Sequence, residues 1–316
     1  MTPHRIDVHH HILPPDYVQR IGDARIGPMM VSGKTPVWSP DHSLALMDRH
    51  EIETAVTSIS APGLELADPA ETADLTRHCN DYAAALRRDH PGRFGLFAAL
   101  PLPHVDASLE EIRYALDDLR ADGIGLMTSY AGQHPGEPAF APVFDELDRR
   151  GAVVFFHPTA AACCTCLPGL PAATLEFPFD TTRAVASLLF SGTFNRCRNI
   201  RWIFSHAGGT VPFLAERMAR LEQRPDFKPA VPEGVREELR RLYFDTALSA
   251  NGVALSALLE LTAPEHILFG SDYPFAPEPT TAASIAALAQ LDLPPGLLRA
   301  IERENALRLL PGLGRI

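Results

Sequence analysis

The chain has 316 residues and a formal net charge of −11 at pH 7, with 46% hydrophobic and 21% charged residues. It contains no run of about 18 or more apolar residues, which excludes a membrane-spanning helix of ordinary length. Its only lysines, Lys34 and Lys228, form no basic stripe that would hold a nucleic-acid backbone, so neither a membrane nor a nucleic acid is an expected partner.

Eight short apolar runs alternate with longer segments of helical character along the chain. This alternation predicts repeated strand–helix units, and eight such units close a (β/α)₈ TIM barrel of the α/β class. The predicted strands are 5–12, 54–60, 93–100, 124–129, 153–158, 200–206, 242–246 and 267–272. Residues 1–4 leave no room for a signal peptide, so we expect a cytoplasmic protein with one domain over residues 1–316.

Two segments between the predicted strands carry local signals. Residues 14–40, rich in Gly and Pro, separate strand 1 from its helix and predict an insertion over the barrel mouth. Residues 107–123 predict a helix that opens on Ser108, with Glu111 three residues later in the pattern of a capping box. The first segment is the one expected to bear on function, because loops at that end of a barrel surround the active site.

Strand 1 contains three consecutive histidines in the run RIDVHHHI. Side chains alternate across a strand, which predicts Asp7, His9 and His11 on one face and Val8 and His10 on the other. If the strand ends near residue 12, His9 and His11 point into the barrel at its C-terminal end, where barrel enzymes place their chemistry. His10 is then expected to face the surrounding helices.

Three other predicted strands end on side chains of the same kind, His157, His206 and Asp272. A single histidine in a strand is more often a packed core residue than a ligand, but convergence at four strand ends favours a metal site. Three histidines and a carboxylate suit Zn²⁺ or a similar divalent ion, with positions left open for water or substrate. The predicted metal ligands are His9, His11, His157 and Asp272.

Two further groups near these strand ends admit more than one interpretation. Asp245 ends strand 7, where it could orient a ligand histidine or cap the following helix. Cys163, Cys164 and Cys166 follow His157 and are expected to be reduced, since a chain of this length does not suggest a secreted disulfide framework. One of these thiols could lie near the metal, but loop cysteines without a partner pair at ligand spacing are more often incidental.

Four segments, IDVHHHILP, FFHPT, FSHAGGTVPFLAER and ILFGSDYPF, resemble the amidohydrolase superfamily. Within it they resemble the branch typified by aminocarboxymuconate semialdehyde decarboxylase. The stretches EFPFDTTRAV and SGTFNRC look like those of 6-methylsalicylate decarboxylases and their bacterial relatives. The likeness runs in order over nearly the whole chain, and it implies a TIM barrel with a metal at the C-terminal ends of its strands.

The resemblance also implies roles for the strand-end residues. His9, His11, His157 and Asp272 would bind the metal, and His206 would act beside it as an acid, a base or a water-orienting group. Binuclear members carry a bridging lysine at the end of strand 4, but this chain has Met127, Thr128 and Ser129 there. We therefore expect one divalent ion, Zn²⁺ first and Mn²⁺ as the alternative, and no organic cofactor.

The expected substrate is a small aromatic carboxylate. The semialdehyde decarboxylase binds its substrate with an arginine after strand 1, whereas this chain has no arginine between Arg25 and Arg49. Arg217 is the candidate carboxylate clamp, reaching across a homodimer interface, or else a solvated charge. Candidate ring contacts, each of which could instead be ordinary packing, are Trp38, Tyr130, Phe177 and Tyr273.

Three functions remain open at this point. The resemblance favours a metal-dependent, non-oxidative decarboxylase in which Asp272 carries a proton to the ring with help from His206. The alternative is a hydrolase of a lactone, amide or C–C bond that uses a metal-activated water. A binding protein that holds metal and ligand without turnover is the third possibility.

Overall fold

The barrel is closed and entirely parallel. In the computed structural model, which describes residues 4–160 and 167–314, eight strands pair in sequence order, each parallel to the next. The strands are β1 (Arg5–His11), β2 (Ile52–Ser58), β3 (Phe94–Ala99), β4 (Gly123–Met127), β5 (Val153–His157), β6 (Arg201–Phe204), β7 (Tyr243–Asp245) and β8 (Ile267–Leu268). Val8 N donates to Phe269 O at 3.0 Å, so the segment after β8 meets β1. The predicted TIM barrel is confirmed.

Helices follow the strands around the outside of the barrel. They are α1 (Pro15–Ile21), α2 (Asp23–Ile26), α3 (Pro40–Arg49), α4 (Pro69–Asp89), α5 (Val105–Arg113), α6 (Ala141–Arg150), α7 (Ala172–Phe190), α8 (Thr193–Arg196), α9 (Val211–Ala219), α10 (Val235–Arg240), α11 (Gly252–Leu261), α12 (Glu278–Gln290), α13 (Leu297–Arg299) and α14 (Asn305–Leu309). Within the described residues, none of these helices is both long and apolar enough to cross a bilayer. The insertion predicted after strand 1 is confirmed, because α1, α2 and a short 3₁₀ turn, Gly27–Met29, lie between β1 and α3.

The capping box predicted at Ser108 is wrong. Helix α5 begins earlier, at Val105, so Ser108 lies inside the helix and its Oγ donates to His104 O at 2.8 Å. The Glu111 carboxylate instead accepts hydrogen bonds from Arg77 and Asn80 of α4, both at 2.7 Å. Glu111 therefore joins α5 to α4, and Ser108 bonds back to the first turn of its own helix.

Strand β1 contains a bulge that the alternation rule does not anticipate. Asp7 pairs with Ala55 and His10 with Thr57, so β1 takes one more residue than β2 over this stretch. Val8 consequently packs inside the barrel, and the prediction that Asp7 shares a face with His9 is wrong. His10 does face outward, where its Nε2 lies 2.8 Å from Ser43 Oγ on α3.

The barrel interior below the strand ends is filled by a cluster of apolar side chains. This cluster contains Ile6, Val8, Val56, Phe97, Val153, Phe155, Ile203 and Leu268. The Phe155 ring stacks on Phe97 at 5.4 Å and meets the ring of His9 edge-on at 5.1 Å. The apolar core of the barrel therefore packs directly beneath His9 of β1.

Replacing Phe155 by alanine is expected to lower the free energy of unfolding by about 3–5 kcal/mol, because its fully buried ring would leave a cavity in a closed barrel. Urea unfolding followed by tryptophan fluorescence measures this loss. The control is Val253→Ala, since Val253 is 70% exposed on α11 and its truncation should cost no more than about 0.5 kcal/mol. Similar losses in the two variants would contradict the described packing.

Candidate metal centre

Four buried side chains meet where the carboxyl ends of β1 and β5 approach the loop after β8. His9 and His11 come from β1, His157 from the end of β5 and Asp272 from that loop. The Nε2 atoms of His9 and His11 are 3.0 Å apart, and they lie 3.2 Å and 3.1 Å from Asp272 Oδ1. His157 Nε2 lies 3.9 Å from the same oxygen, and one ligand atom from each side chain falls within 4.8 Å of all the others.

These separations fit the coordination shell of one divalent ion. Bonds of about 2.0–2.2 Å to nitrogen and oxygen place neighbouring ligand atoms about 3.0–3.5 Å apart. Three nitrogens and a carboxylate oxygen also form a donor set that Zn²⁺ and related ions accept. Among the described residues this is the one cluster of histidine, cysteine and acidic side chains with such geometry.

Asp245, at the end of β7, orients the first ligand. Its Oδ2 lies 2.8 Å from His9 Nδ1, and its Oδ1 accepts from the backbone N–H of His206 at 2.9 Å and of Ala247 at 3.0 Å. Because a carboxylate only accepts, Nδ1 of His9 carries the proton and Nε2 faces the other ligands. The capping alternative for Asp245 is wrong, since the side chain of Asn251 caps α11.

A second buried carboxylate, Asp7, fixes the backbone on both sides of the centre. Its Oδ1 accepts from the backbone N–H of His9 at 3.1 Å and of Ser271 at 3.0 Å, while its Oδ2 accepts from Ser271 Oγ at 2.5 Å. Ser271 immediately precedes Asp272, so one carboxylate positions a ligand of β1 and the ligand after β8. Sequence reasoning missed this role because the bulge turns Asp7 away from the predicted face.

Close approach of the backbone makes glycine necessary beside the centre. A Cβ added to Gly270 would lie 2.7 Å from His9 Cβ, so any side chain there would displace the ligand. A Cβ added to Gly209 would lie 2.1 Å from Pro178 O, and the backbone there has φ of +64°. The glycines of GSDYP and HAGG are therefore required by the space around the ligands.

The charges around the centre favour a bound cation. Burial lowers the pKa values of His11 and His157 to about 4, so both rings are neutral at neutral pH. Burial opposes ionisation of Asp272, yet the facing histidines hold its pKa well below the usual range. Burial also lowers the pKa of His9, but Asp245 and Asp272 outweigh it and raise that pKa to about 10. A divalent ion would take the place of the proton on His9 Nε2.

His206 lies beside the four ligands on the loop that follows β6. Its Nε2 is 3.8 Å from Asp272 Oδ2, and neither ring nitrogen has a hydrogen-bond partner among the described residues. The residue adopts a φ of +54°, and burial lowers the pKa of its imidazole to about 4. A neutral, unpaired imidazole held beside a carboxylate is suited to accepting or passing on a proton.

A cavity of about 320 Å³ opens above the centre. His157, His206 and Asp272 are at its inner end. Its other lining residues are Met29, Met30, Val31, Ser60, Ala61, Ala173, Thr174, Phe177, Pro178, Gly209, Leu248, Ser249 and Phe275. No lysine or arginine is present in this lining as far as the described residues go, so the wall offers a substrate mainly apolar surface.

Comparisons with known proteins fit this geometry. The profile of the amidohydrolase family matches residues 6–312. This chain belongs to the amidohydrolase family. Decarboxylase yanB of Aspergillus niger is 40% identical to it over 324 residues, which cover 97% of this chain and 87% of that protein.

Two further relatives of this amidohydrolase extend the comparison. The 6-methylsalicylic acid decarboxylase acuB of Aspergillus aculeatus is 40% identical over 325 residues, which cover 98% of this chain and 97% of that protein. A crystal structure of a protein called amidohydrolase II superposes with a TM-score of 0.89 at 32% identity, covering 97% of this chain and 99% of the other. The resemblance inferred from the sequence motifs is confirmed.

The end of β4 in this amidohydrolase has no group that could bridge two metal ions. Thr128 Oγ1 and Ser129 Oγ donate to the buried Asp180 carboxylate of α7, at 2.6 Å and 3.1 Å. His134 Nε2 also lies 3.1 Å from that carboxylate. The polar side chains after β4 therefore hold α7 in place, and one cluster of metal ligands is present in the part of the chain that the structure describes. Cys163, Cys164 and Cys166 lie outside the described residues.

Of the predicted substrate contacts, Phe177 lines the cavity, with its ring edge-on to His157 at 6.0 Å. The other four predicted contacts lie elsewhere, since side chains in loops need not point toward the mouth. Trp38 Nε1 donates to Ser43 Oγ at 2.9 Å, and the Tyr130 hydroxyl accepts from Met127 N at 2.7 Å.

The remaining two predicted contacts are also turned away from the amidohydrolase cavity. Tyr273 packs on the outward-facing ring of His10 at 5.3 Å, and Arg217 is exposed on α9. Sequence reasoning did not select Ser60 or Met30, which do line the cavity. The position of Ser60 just after β2 was the available signal, because strand ends supply the residues of a barrel site.

Replacing Asp245 by asparagine is expected to weaken metal binding by about 10- to 100-fold. Both carboxylate oxygens accept hydrogen bonds, so an amide NH₂ would have to face either His9 Nδ1–H or the backbone N–H of His206 and Ala247. Competition with a chromogenic chelator measures the affinity. Asp226→Asn, an exposed site, is the matched control and should leave the affinity unchanged. Equal affinities in the two variants would exclude the orienting role.

Proposed function

We propose that this amidohydrolase is a metal-dependent, non-oxidative decarboxylase of a small aromatic carboxylic acid. The observation that carries the proposal is the position of His206 and Asp272 at the inner end of a mostly apolar cavity, beside a single cluster of metal ligands. Relatives at 40% identity over almost the whole chain are decarboxylases, one of them of 6-methylsalicylic acid. The predicted carboxy-lyase activity agrees with both.

His9, His11, His157 and Asp272 would hold the metal, and we propose Zn²⁺ as the ion with Mn²⁺ as the alternative. When bound, the ion supplies a positive charge that holds the carboxylate and an adjacent hydroxyl of the substrate. Asp245 keeps the proton of His9 on Nδ1, and Asp7 keeps the backbones of both ligand segments in place. The chain thus provides a rigid centre before any substrate arrives.

The cavity fits an aromatic ring with one carboxylate. Phe177 and Phe275 line it, and their rings also lie edge-on to His157 and His11, at 6.0 Å and 5.4 Å. The described lining contains no arginine or lysine that would pair with a second carboxylate. We therefore assign a salicylate-like monocarboxylate, such as 6-methylsalicylate, as the substrate class.

Asp272 and His206 carry the proton. Asp272 Oδ2 accepts the proton of the substrate hydroxyl, and His206 Nε2, 3.8 Å away, helps to pass that proton to the ring carbon that bears the carboxylate. The bond from that carbon to the carboxylate then breaks, CO₂ leaves, and the electron pair restores the aromatic ring. The product is the phenolate with hydrogen at the vacated carbon.

The experiment is a substrate panel of hydroxybenzoates, including 6-methylsalicylate, incubated in D₂O with metal-loaded protein. Release of CO₂ with one deuterium at the vacated ring carbon of 3-methylphenol is the expected result. Ring deuteration without enzyme serves as the blank. If no hydroxybenzoate releases CO₂ while a lactone or amide is cleaved, the hydrolase is the correct function.

We further propose that the enzyme works as a homodimer in the cytoplasm. Arg217 is exposed on α9 and is absent from the lining of its own cavity, and Phe213, one turn earlier, is 63% exposed. An exposed aromatic ring next to an exposed guanidinium suits a protein interface. Across such an interface, Arg217 of one chain would bind the substrate carboxylate in the cavity of the other chain. Light scattering of the wild type and of Phe213→Asp tests the assembly.

A further inference from the structure

Ser60, just after β2, places a buried hydroxyl at the inner end of the cavity. Only 3% of the residue is exposed, and its Oγ lies 3.4 Å from His157 Nε2. Its backbone is fixed, because Ser60 O accepts from Gly63 N at 3.0 Å and from the Tyr17 hydroxyl at 3.5 Å. The contact with His157 is the one hydrogen bond of this hydroxyl within the described residues.

That contact cannot persist once a metal ion is bound. His157 Nε2 is the atom that this ring contributes to the ligand cluster, and a nitrogen whose lone pair binds a metal cannot also accept a hydrogen bond. The Ser60 hydroxyl is then left in the cavity without a partner among the described residues. A buried polar group without a partner is unfavourable, so the hydroxyl is available to a bound molecule.

Ser60 differs in this respect from the other hydroxyl groups of the cavity. Thr174 is exposed and Ser249 is half-buried, so water can satisfy both of them. Ser60 is the buried hydroxyl and lies next to a ligand nitrogen. A substrate oxygen held at the centre would therefore come within its reach, whereas a substituent near the mouth would not.

We propose that Ser60 hydrogen-bonds the ring hydroxyl next to the substrate carboxylate and so selects ortho-hydroxylated acids. This rests on the proposed function. The ring carbon that bears the carboxylate must lie beside His206 and Asp272 Oδ2, because it is protonated there. The hydroxyl on the neighbouring ring carbon then lies on the side of His157, within reach of Ser60. A serine hydroxyl can donate to a phenol oxygen, and it donates more strongly to a phenolate oxygen, which carries the charge.

The test measures ligand binding to metal-loaded protein by stopped-flow fluorescence before the first turnover, with 6-methylsalicylate and with 2-methylbenzoate, which has no hydroxyl. Ser60→Ala is expected to weaken binding of 6-methylsalicylate about fivefold to tenfold and to leave binding of 2-methylbenzoate unchanged. Bound metal should equal that of the wild type. Ser256→Ala, at an exposed position on α11, is the matched control and should change neither affinity.

Two outcomes would overturn the proposal: equal weakening of both ligands, which would place Ser60 on the carboxylate, or no weakening of either. Ser60→Gly also removes the hydroxyl without adding a metal ligand; it is expected to give a similar loss and serves if the alanine variant does not fold. Because binding is measured without turnover, selective binding with no CO₂ release would refute the decarboxylase and leave the role of Ser60 intact.

Discussion

His206→Ala is expected to keep its metal and to lose about 10²- to 10⁴-fold in kcat for decarboxylation of a salicylate-like acid. The ring is not needed for coordination, because His9, His11, His157 and Asp272 already supply four ligand atoms. Both nitrogens of His206 are without partners among the described residues, and the ring faces the cavity. Elemental analysis of the purified variant, together with CO₂ release under saturating substrate, measures the two properties separately.

The control for this variant is His78→Ala, at a half-exposed position on α4 far from the cavity, which should keep both metal and rate. His206→Asn adds a second comparison, since an amide can hydrogen-bond but cannot take up a proton. We expect asparagine to restore little of the decarboxylation rate. A variant without His206 that decarboxylates within a factor of three of the wild type would show that the imidazole has no part in proton delivery.

Asp272→Asn should lose both metal affinity and rate, because Asp272 has two functions. Its Oδ1 lies 3.1–3.2 Å from His9 and His11 as a ligand atom, and its Oδ2 faces His206 as the proton carrier. The amide is isosteric but carries neither the charge that balances the cation nor a usable proton. We expect kcat to fall by at least about 10³-fold even when enough metal is added to fill the site.

The informative comparison is with Asp245→Asn, which should lose affinity but recover most of its rate at high metal concentration. Asp89→Asn, whose carboxylate is 57% exposed at the end of α4, serves as the control for the substitution itself. Rates are compared at measured, equal metal occupancy. If the Asp272 variant reached the wild-type rate at full metal occupancy, Asp272 would be a metal ligand only and not the proton carrier.

Much of the centre is predictable from strand periodicity and from the rule that barrel sites lie at strand ends. His9, His11, His157 and Asp272 meet as the pattern indicates, although β6 ends at Phe204 and β8 at Leu268, earlier than predicted. Asp272 and His206 are carried by loops in which both residues have positive φ. The predicted meeting of these residues is correct despite the wrong strand ends, because the loops continue toward the barrel mouth in the direction of the strands.

The parts that could not be predicted depend on local backbone geometry. A one-residue bulge in β1 turns Asp7 outward, and no residue type in DVHHH signals it. Trp38, Tyr130 and Tyr273 are aromatic residues near the mouth whose side chains turn toward Ser43, Met127 and His10. The direction of a loop side chain is set by turn conformation and by packing, which hydrophobic patterning does not encode.

The most direct test of metal-dependent decarboxylation is a metal titration of chelator-treated protein, with CO₂ release from 6-methylsalicylate as the readout. Zn²⁺ and Mn²⁺ are titrated separately, and bound metal is counted in each sample. We expect no CO₂ without metal and a rate that rises with metal occupancy until about one ion is bound per chain. Undiminished CO₂ release from the metal-free protein, or full occupancy without CO₂ from any hydroxybenzoate, would contradict this expectation.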